Sequence, residues 1–569
     1  MEIDENLVTS IALRNACEHN GKATLDAVLS KVVGSEPRLR GALKDAIPKI
    51  KYIVDEINRL DKEQQKKRLA TYILPDKNKK KEKTSLLPDL PNAKFGEVVT
   101  RFPPEPNGFP HIGHAKAVTI NDEYSKIYNG KMLLRFDDTN PSNEKIEYYD
   151  AIKDGLEWLD IKPHLTKNTS DDIFELHEYG KKMFVNGYAY VCTCSSEIIR
   201  KNRADMIECN CRKYEKQDRF DKFFNDNYSQ SEAVIRLKGN MQDLNTVMRD
   251  PTLFRIVENP HPLLGSKVRI WPTYDFAVPI EDSKDGVTHA LRTKEYELRN
   301  QLYYVILDIL KLRKPKVIEF SRLEFEGIPV SKRKIKPLIN DGVISTSDDP
   351  RLRSLVGMRR HGFQASAIKK FVLGLGLTLA ETKPPIETLE SINRKLIDSS
   401  CMRLFFVDNP VKLYVKNFNS EKVLLNNHPT HNLGKREIDI SGEFYISRND
   451  CVDLELGKII RLMDLYNIQI TDLATENDKR IIIASKIGDE IVQSMKKIQW
   501  VAKNDVVNYH IYVPRELYIG DKYNTNSLEK INGYAESFVS NLSQGTVVQF
   551  VRFGFCNIQT GQSAYFTHR

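Results

Sequence analysis

Apolar side chains recur at three- and four-residue spacing over the first 70 residues, predicting helices across Leu13–Cys17, Leu25–Val33 and Ile50–Leu60. The pattern breaks at Pro75, where a lysine-rich run to Lys83 and then Leu87-Pro-Asp-Leu-Pro91 read as a linker. That linker is expected to be a solvated tether, with an arm that touches phosphates as the alternative. From residue 96 the pattern changes. Val98-Val-Thr-Arg-Phe102 reads as a buried strand, followed by a Pro/Gly loop and a helix from His111 to Tyr128. Lys131-Met-Leu-Leu-Arg-Phe136 is a second strand and Glu144–Leu159 a second amphipathic helix. Strands alternating with helices predict a parallel sheet covered by helices, with ligands beyond the carboxyl ends of its strands. The loop from Arg101 to Gly113 therefore falls where a nucleotide would bind. Between 340 and 405 the pattern is helical again. Beyond 410, short alternating segments predict one or two β-barrels: Val411–Val415, Glu443–Ile446, Ile459–Leu462, Tyr509–Val513 and Val547–Phe555.

Composition narrows the class without naming a function. A chain of 569 residues exceeds one hydrophobic core, and its length suggests three to five domains. No apolar run approaches the roughly 18 residues of a membrane span, and the acidic start MEIDENLVTS is unlike a signal peptide. A soluble, cytoplasmic protein with no membrane partner is expected. The net charge of +9 suits a polyanionic partner but does not require one. Eight cysteines are too few for a disulfide scaffold, and four of them crowd one segment.

Two segments carry the candidate chemistry. In Pro110-His-Ile-Gly-His114 the histidines are three apart, so both project from one face of a first helical turn. A helix N-terminus offers N–H groups and a positive dipole end to an anion, and His111 and His114 add two donors for phosphates. Gly113 has no Cβ to hold an adenine away, and Pro110 has no N–H to lose at a helix start. Far downstream, Pro329-Val-Ser-Lys-Arg-Lys334 offers Ser331 to a phosphate oxygen and Lys332 to a pyrophosphate leaving group. Separately, Cys192-Thr-Cys194 and Cys209-Asn-Cys211 offer four thiolates to a structural zinc ion, although pairs two apart are closer than usual.

Taken together, these motifs resemble the two signatures of class I aminoacyl-tRNA synthetases. Four further stretches resemble the glutamyl/glutaminyl subgroup: Arg101-Phe-Pro-Pro-Glu-Pro-Asn-Gly108, Leu134-Arg-Phe-Asp-Asp-Thr-Asn-Pro141, Trp271-Pro-Thr-Tyr-Asp-Phe276 and Asp348-Asp-Pro-Arg351. The likeness runs from residue 95 onward and is to the archaeal and eukaryotic type. It implies a multidomain fold whose α/β Rossmann-type parallel-sheet catalytic domain occupies 95–190 and 271–335. An acceptor-end-binding insert would occupy 191–270, a helical connecting domain 336–405 and β-barrel anticodon-binding domains 406–569. These follow an N-terminal helical region at 1–75 and a basic linker at 76–94.

The resemblance also implies ATP and Mg²⁺ as cofactors, with Pro104, Asn107, Gly108, His111, Gly113, His114, Ser331 and Lys332 at the nucleotide. His111, His114 and Lys332 would be catalytic. Arg101, Asp137 and Tyr274 would hold the amino acid, Asp137 taking its ammonium group. Arg292 is the discriminating residue: glutaminyl enzymes carry an uncharged residue there, whereas a second guanidinium suits the γ-carboxylate of glutamate. The Val-Ser-Lys-Arg-Lys loop pulls toward the glutaminyl form, but it handles phosphate and not the side chain. Glutamate, tRNA(Glu) and, as in some members, tRNA(Gln) are the expected partners, with no DNA. The N-terminal region is a candidate docking surface for another protein. A glutaminyl enzyme and a non-catalytic tRNA-binding scaffold are the alternatives.

Overall fold

A computed structural model of the chain describes residues 5–35, 43–70, 86–213, 217–225, 228–323, 325, 332–344, 346–381, 383–476, 479–491, 494–520 and 522–569. It divides into two compact units, Met1–Ser85 and Leu86–Arg569.

The first unit holds four helices: α1 (Glu5–Glu18), α2 (Leu25–Ser35), α3 (Leu43–Asn58) and α4 (Lys62–Ala70). Their apolar stripes close on one core containing Val8, Leu13, Val28, Ile50 and Ile57. Side-chain amides fasten the turns. Asn58 accepts from Ala23 N–H at 2.7 Å and donates to its carbonyl at 2.9 Å, and Gln65 donates to Gly21 and Ile57 carbonyls. The lysine run expected in the linker lies outside the described residues.

The second unit opens with β1 (Val99–Phe102), α5 (Ile112–Ile127), β2 (Lys131–Phe136), α6 (Ile146–Trp158) and β3 (Leu165–Asn168). The strands are parallel in the order β1-β2-β3. After α7 (Ile173–Val185) the chain enters an antiparallel four-stranded sheet. Its strands are β4 (Ala189–Cys192), β5 (Val234–Leu237), β6 (Thr252–Ile256) and β7 (Ile270–Pro272), with α8 (Ser196–Ala204) and α9 (Gln217–Phe224) between the first two. The chain then returns through α10 (Tyr274–Lys284), β8 (His289–Thr293), α11 (Asn300–Leu310) and β9 (Lys316–Phe320). Strands β8 and β9 pair in parallel. Thr288 N–H donates to the Val99 carbonyl at 2.9 Å, setting β8 beside β1 and giving the spatial order β3-β2-β1-β8-β9. That order reverses between β1 and β8, where open parallel sheets bind their ligands.

Next come α12 (Lys332–Asn340), α13 (Leu355–His361), α14 (Ala365–Leu375) and α15 (Ile386–Ile397). The remaining chain forms two seven-stranded sheets. One contains Pro410–Lys416 and the six strands from Glu443–Ser447 to Val501–Ala502, while Glu421–Asn426 and Lys435–Ile440 pair as a separate two-stranded sheet. The other is begun by Arg403–Leu404 and Phe406–Asp408 and completed by Val506–Pro514, Leu528–Glu536 and three later strands. Each has its own apolar core. The single strand expected at Val547–Phe555 is instead two, Val547–Phe550 and Gly554–Gln559, paired antiparallel. Arg552 sits at φ 64° in the turn between them. Gly554 takes φ 149°, and a Cβ there would stand 2.5 Å from the Phe566 ring, so only glycine fits this corner.

Candidate active site

The N-terminus of α5 is built around two histidines. His111 is the N-cap residue, not the first helical one, and its backbone is extended. His111 Nδ1 accepts from Gly113 N–H at 3.1 Å, while His114 Nδ1 accepts from His111 N–H at 3.2 Å, a reciprocal capping box made of imidazoles. A ring whose Nδ1 accepts carries its proton on Nε2, so both side chains are prepared to donate from that atom. Pro110, expected at the helix start, lies before the cap, and its carbonyl accepts from Leu355 N–H at 2.8 Å. Ile112 N–H donates to the Arg353 carbonyl at 3.0 Å, so the chain entering α13 braces the first turn of α5. Gly113 also has a different reason from the one expected. A Cβ there would lie 2.9 Å from His111 Cε1, so the missing side chain makes room for His111 itself.

Around this turn, the loop after β1 folds onto the loop after β2. Asp137 N–H donates to the Pro104 carbonyl at 3.0 Å, and Asn107 N–H donates to Glu105 at 2.8 Å. Gly108 is half-buried in the same loop. Farther along α5, buried Lys116 donates to the Ser321 carbonyl at 2.6 Å and hydroxyl at 3.0 Å, tying the helix to the end of β9. Burial without a carboxylate lowers its ammonium to about 8. Ser331 lies outside the described residues, and so does the side chain of Lys332, the first residue of α12.

Beyond the ends of β1 and β2 the structure gathers the expected amino-acid residues. Arg101, fully buried, donates from Nε to Asp282 at 3.0 Å and from one terminal nitrogen to the Leu291 carbonyl at 2.7 Å; its other terminal nitrogen has no protein partner. Asp137 Oδ1 accepts from Arg135 at 2.9 Å and from Thr169 at 3.2 Å, while its buried Oδ2 accepts from nothing. Burial pushes the Asp137 carboxyl up, and Arg135 offsets this only in part. Arg292 donates to Asn300 at 3.1 Å and weakly to the Tyr274 hydroxyl at 3.4 Å, and its Nε is buried and unpartnered. Its guanidinium lies 5.2–5.7 Å from the ring centres of Tyr274, Tyr296 and Tyr303. Tyr274, at the start of α10, feels the charges of Arg292, Arg101 and Asp137 together. A cavity of about 190 Å³ opens among Asp137, Thr139, Asn140, Arg255, Tyr274 and Tyr296.

A second layer of charge, missed in the sequence, holds these groups. Arg135 reaches Asp137, Asp282 and Asp285, each at 2.9 Å, and Lys167 bridges Glu281 and Asp285 at 2.8 and 3.0 Å. Burial raises Glu281 to about 7, whereas for Asp282 burial is outweighed by Arg101 and Arg135, which hold it below the usual carboxylate range. The available signal was charge out of pattern. Arg135 interrupts an apolar strand, and Glu281 and Asp282 stand in the mostly buried helix α10. Arg255, the other omission, projects from β6 into the cavity and donates to the Thr139 carbonyl at 3.1 Å.

The four clustered cysteines also meet. Cys192 and Cys209 sulfurs are 3.7 Å apart, Cys194 and Cys209 3.5 Å, Cys194 and Cys211 3.8 Å, and all four lie within 4.8 Å of one another. Four sulfurs bound tetrahedrally at ~2.3 Å from one ion stand about 3.8 Å apart, so the spacing suits a zinc ion.

The chain is similar to known proteins over nearly its whole length. Residues 97–399 match the catalytic domain of the class I tRNA synthetases (E and Q), and 401–487 and 497–559 match two anticodon-binding domains of the same group. The chain is 45% identical to the glutamate–tRNA ligase of Nitrosopumilus maritimus over 568 residues, 99% of each chain. It is 45% identical to that of Cenarchaeum symbiosum, covering 98% of each, and 36% identical to that of Korarchaeum cryptofilum over 98% of each. The family match over residues 97–399 and the full-length likeness at 45% identity lead to one assignment: the chain belongs to the class I tRNA synthetases of the E and Q group, on their glutamate–tRNA ligase branch.

Proposed function

We infer that the protein activates glutamate with ATP and transfers it to the 3′-terminal adenosine of tRNA(Glu). One observation carries the choice of amino acid. Among the described residues, the buried atoms without protein partners include one nitrogen of Arg101, Nε of Arg292 and Oδ2 of Asp137, one from each of the three charged residues expected to hold the amino acid. Two cationic donors and one anionic acceptor match the two carboxylates and one ammonium of glutamate. Each such atom costs ~1–3 kcal/mol while unmade, and the right ligand recovers that energy. Glutamine would leave Arg292 facing a neutral carboxamide.

In the first step the glutamate α-carboxylate attacks the α-phosphorus of ATP in line, forming glutamyl-adenylate and releasing pyrophosphate. Pro104, Asn107, Gly108, Gly113 and Ser331 would line the nucleotide; Nε2–H of His111 and His114 would meet phosphate oxygens, and Lys332 the leaving group. Mg²⁺, when bound, adds charge neutralisation at the phosphates. In the second step the terminal ribose hydroxyl of tRNA attacks the adenylate carbonyl and AMP leaves. The four-stranded sheet would receive the acceptor end, with zinc on Cys192, Cys194, Cys209 and Cys211 stabilising its β4 corner. The two C-terminal sheets would hold the anticodon. Residues 76–94 would tether the first unit, a candidate docking surface for another protein, and the reaction would take place in the cytoplasm.

Aminoacylation of purified tRNA(Glu) and tRNA(Gln), each with glutamate and with glutamine, tests this. Glutamate charged to tRNA(Glu) is expected, and preferred charging of glutamine would overturn the reading. Charging of tRNA(Gln) with glutamate would mark a broader tRNA range.

A further inference from the structure

The segment between β6 and β7 turns back on itself at His261 and Gly265, which exchange backbone hydrogen bonds of 2.9 and 2.8 Å. His261 is buried there, stacked on Trp271 with ring centres 4.8 Å apart. Its Nδ1 accepts the N–H groups of Leu263 and Leu264, both at 3.2 Å, so the ring proton sits on Nε2. That Nε2 faces three oxygens: the Asp138 carbonyl at 3.2 Å, Asp138 Oδ2 at 3.5 Å and Glu144 Oε2 at 3.3 Å. Asp138 is otherwise held by Ser170 and Tyr149, and Glu144 Oε1 accepts from Asn140 N–H at 2.7 Å.

These contacts grip both ends of one loop. Asp138 and Glu144 bracket residues 138–144, and the same limb of the four-stranded sheet adds two more ties. Arg255 donates to the Thr139 carbonyl at 3.1 Å, and Ser142 donates to Asn259 at 3.1 Å. The loop begins beside Asp137, whose open oxygen belongs to the amino-acid cavity, and Thr139 and Asn140 form part of its wall. The sheet and the amino-acid pocket thus share a hinge tied from the sheet side by His261, Arg255 and Asn259.

We propose that His261 is a positioning residue for the amino-acid pocket: through Asp138 and Glu144 it makes the placement of Asp137 depend on whether a tRNA acceptor end occupies the four-stranded sheet. The proposal rests on the synthetase reading above. It follows from linkage, because a group clamped to the sheet responds to whatever binds the sheet, and each ligand must then tighten the other equally. A histidine suits the task better than a cation here. It presents one donor to a crowded set of oxygens and adds no fixed charge to a buried site.

The test is ATP–pyrophosphate exchange by the full chain, with and without tRNA(Glu), reading the KM for glutamate and for ATP separately. H261L, lacking the donor, should raise the glutamate KM about tenfold with little change in the ATP KM, and should flatten the dependence of the glutamate KM on tRNA. H261Q, which keeps an N–H near the Nε2 position, should recover most of both. If H261L does not fold, S142A and N259A cut an exposed tie of the same hinge and should shift the glutamate KM about two- to threefold in the same direction. An unchanged glutamate KM in the variants, equal losses for glutamate and ATP, or no recovery by H261Q would overturn the proposal. Exchange supported by glutamine instead of glutamate would sink the functional reading alone, since the ammonium that Asp137 would hold is common to both.

Discussion

Asp282 and Arg101 form a fully buried ion pair of 3.0 Å that spends only part of the guanidinium, leaving one terminal nitrogen in the core without a partner. Asp282 also faces Arg135 at 2.9 Å, so one carboxylate fixes the cations of two neighbouring strands. Replacing it with asparagine leaves Arg101 with no carboxylate in contact among the described residues. D282N should lose ~3–5 kcal/mol of stability, measured by denaturant unfolding, and the glutamate KM of the surviving enzyme should rise. An unfolding midpoint equal to wild type would refute this.

Arg292 sits among three tyrosine rings, with its Nε still available. R292C should lower kcat/KM for glutamate by about a thousandfold, the equivalent of losing a buried charge-assisted pair, while the ATP KM stays within about threefold. A comparable loss for both substrates would mean that Arg292 supports the fold instead of reading the side chain.

Acid should weaken the seam between α13 and the strand Ser563–His568. His361 donates to the Phe566 carbonyl at 3.0 Å and faces Arg353 at 3.4 Å, and His568 meets Asn393 at 2.9 Å. Burial, with Arg353 adding to it, lowers His361 to about 3, and burial lowers His568 to about 4. Because the folded values lie below the ordinary 6.5, the unfolded chain takes up protons first. The stability these rings contribute is full above pH 6.5 and is lost as pH falls toward 4 and then 3. At pH 5 each should cost about 2 kcal/mol relative to neutrality. Thermal unfolding at pH 7.5 and 5 should therefore show a larger drop for wild type than for H361Q. Equal drops would count against it.

Purification without chelators should yield one zinc per chain, and C209S should lower both the zinc content and the midpoint of thermal unfolding. Loss of transfer to tRNA should exceed loss of ATP–pyrophosphate exchange at saturating tRNA, because the cysteines cluster at the end of β4, in the segment that leads to β5, and not in the cavity. A metal-free, fully active protein would end the zinc proposal.

Much of this was legible in the chain because the first half of the sheet is locally encoded. The expected boundaries of β1, α5, β2 and α6 fall within two residues of the observed ones, since period and punctuation decide them. Arg101, Asp137, Tyr274 and Arg292 could be named only through resemblance; in the fold Asp137 and Tyr274 line one cavity, and Arg101 and Arg292 lie within electrostatic reach of Tyr274. What stayed hidden depends on contacts between distant segments. Asp282 is 181 residues from Arg101, and nothing near either residue signals the other. The turn at Arg552 was overlooked because aromatic residues on both sides continue an alternating pattern. Gly113 was given the right requirement, close approach, but for the wrong neighbour, because the fold-back of His111 follows from a capping geometry that apolar periodicity does not encode.

The sheet begun by Arg403–Leu404 and Phe406–Asp408 has a temporal consequence. Ser563–His568 lies between Gly554–Gln559 and Val506–Pro514, so it is an interior strand made after nearly everything it joins. It also receives α13, where Thr567 donates to the His361 carbonyl at 2.7 Å, and the residues entering that helix brace the turn that carries His111. On the ribosome, a chain translated only as far as Gln559 lacks this strand. His111 and His114 would then be synthesised early, but the contacts that brace their turn would be complete only once Ser563–His568 has emerged.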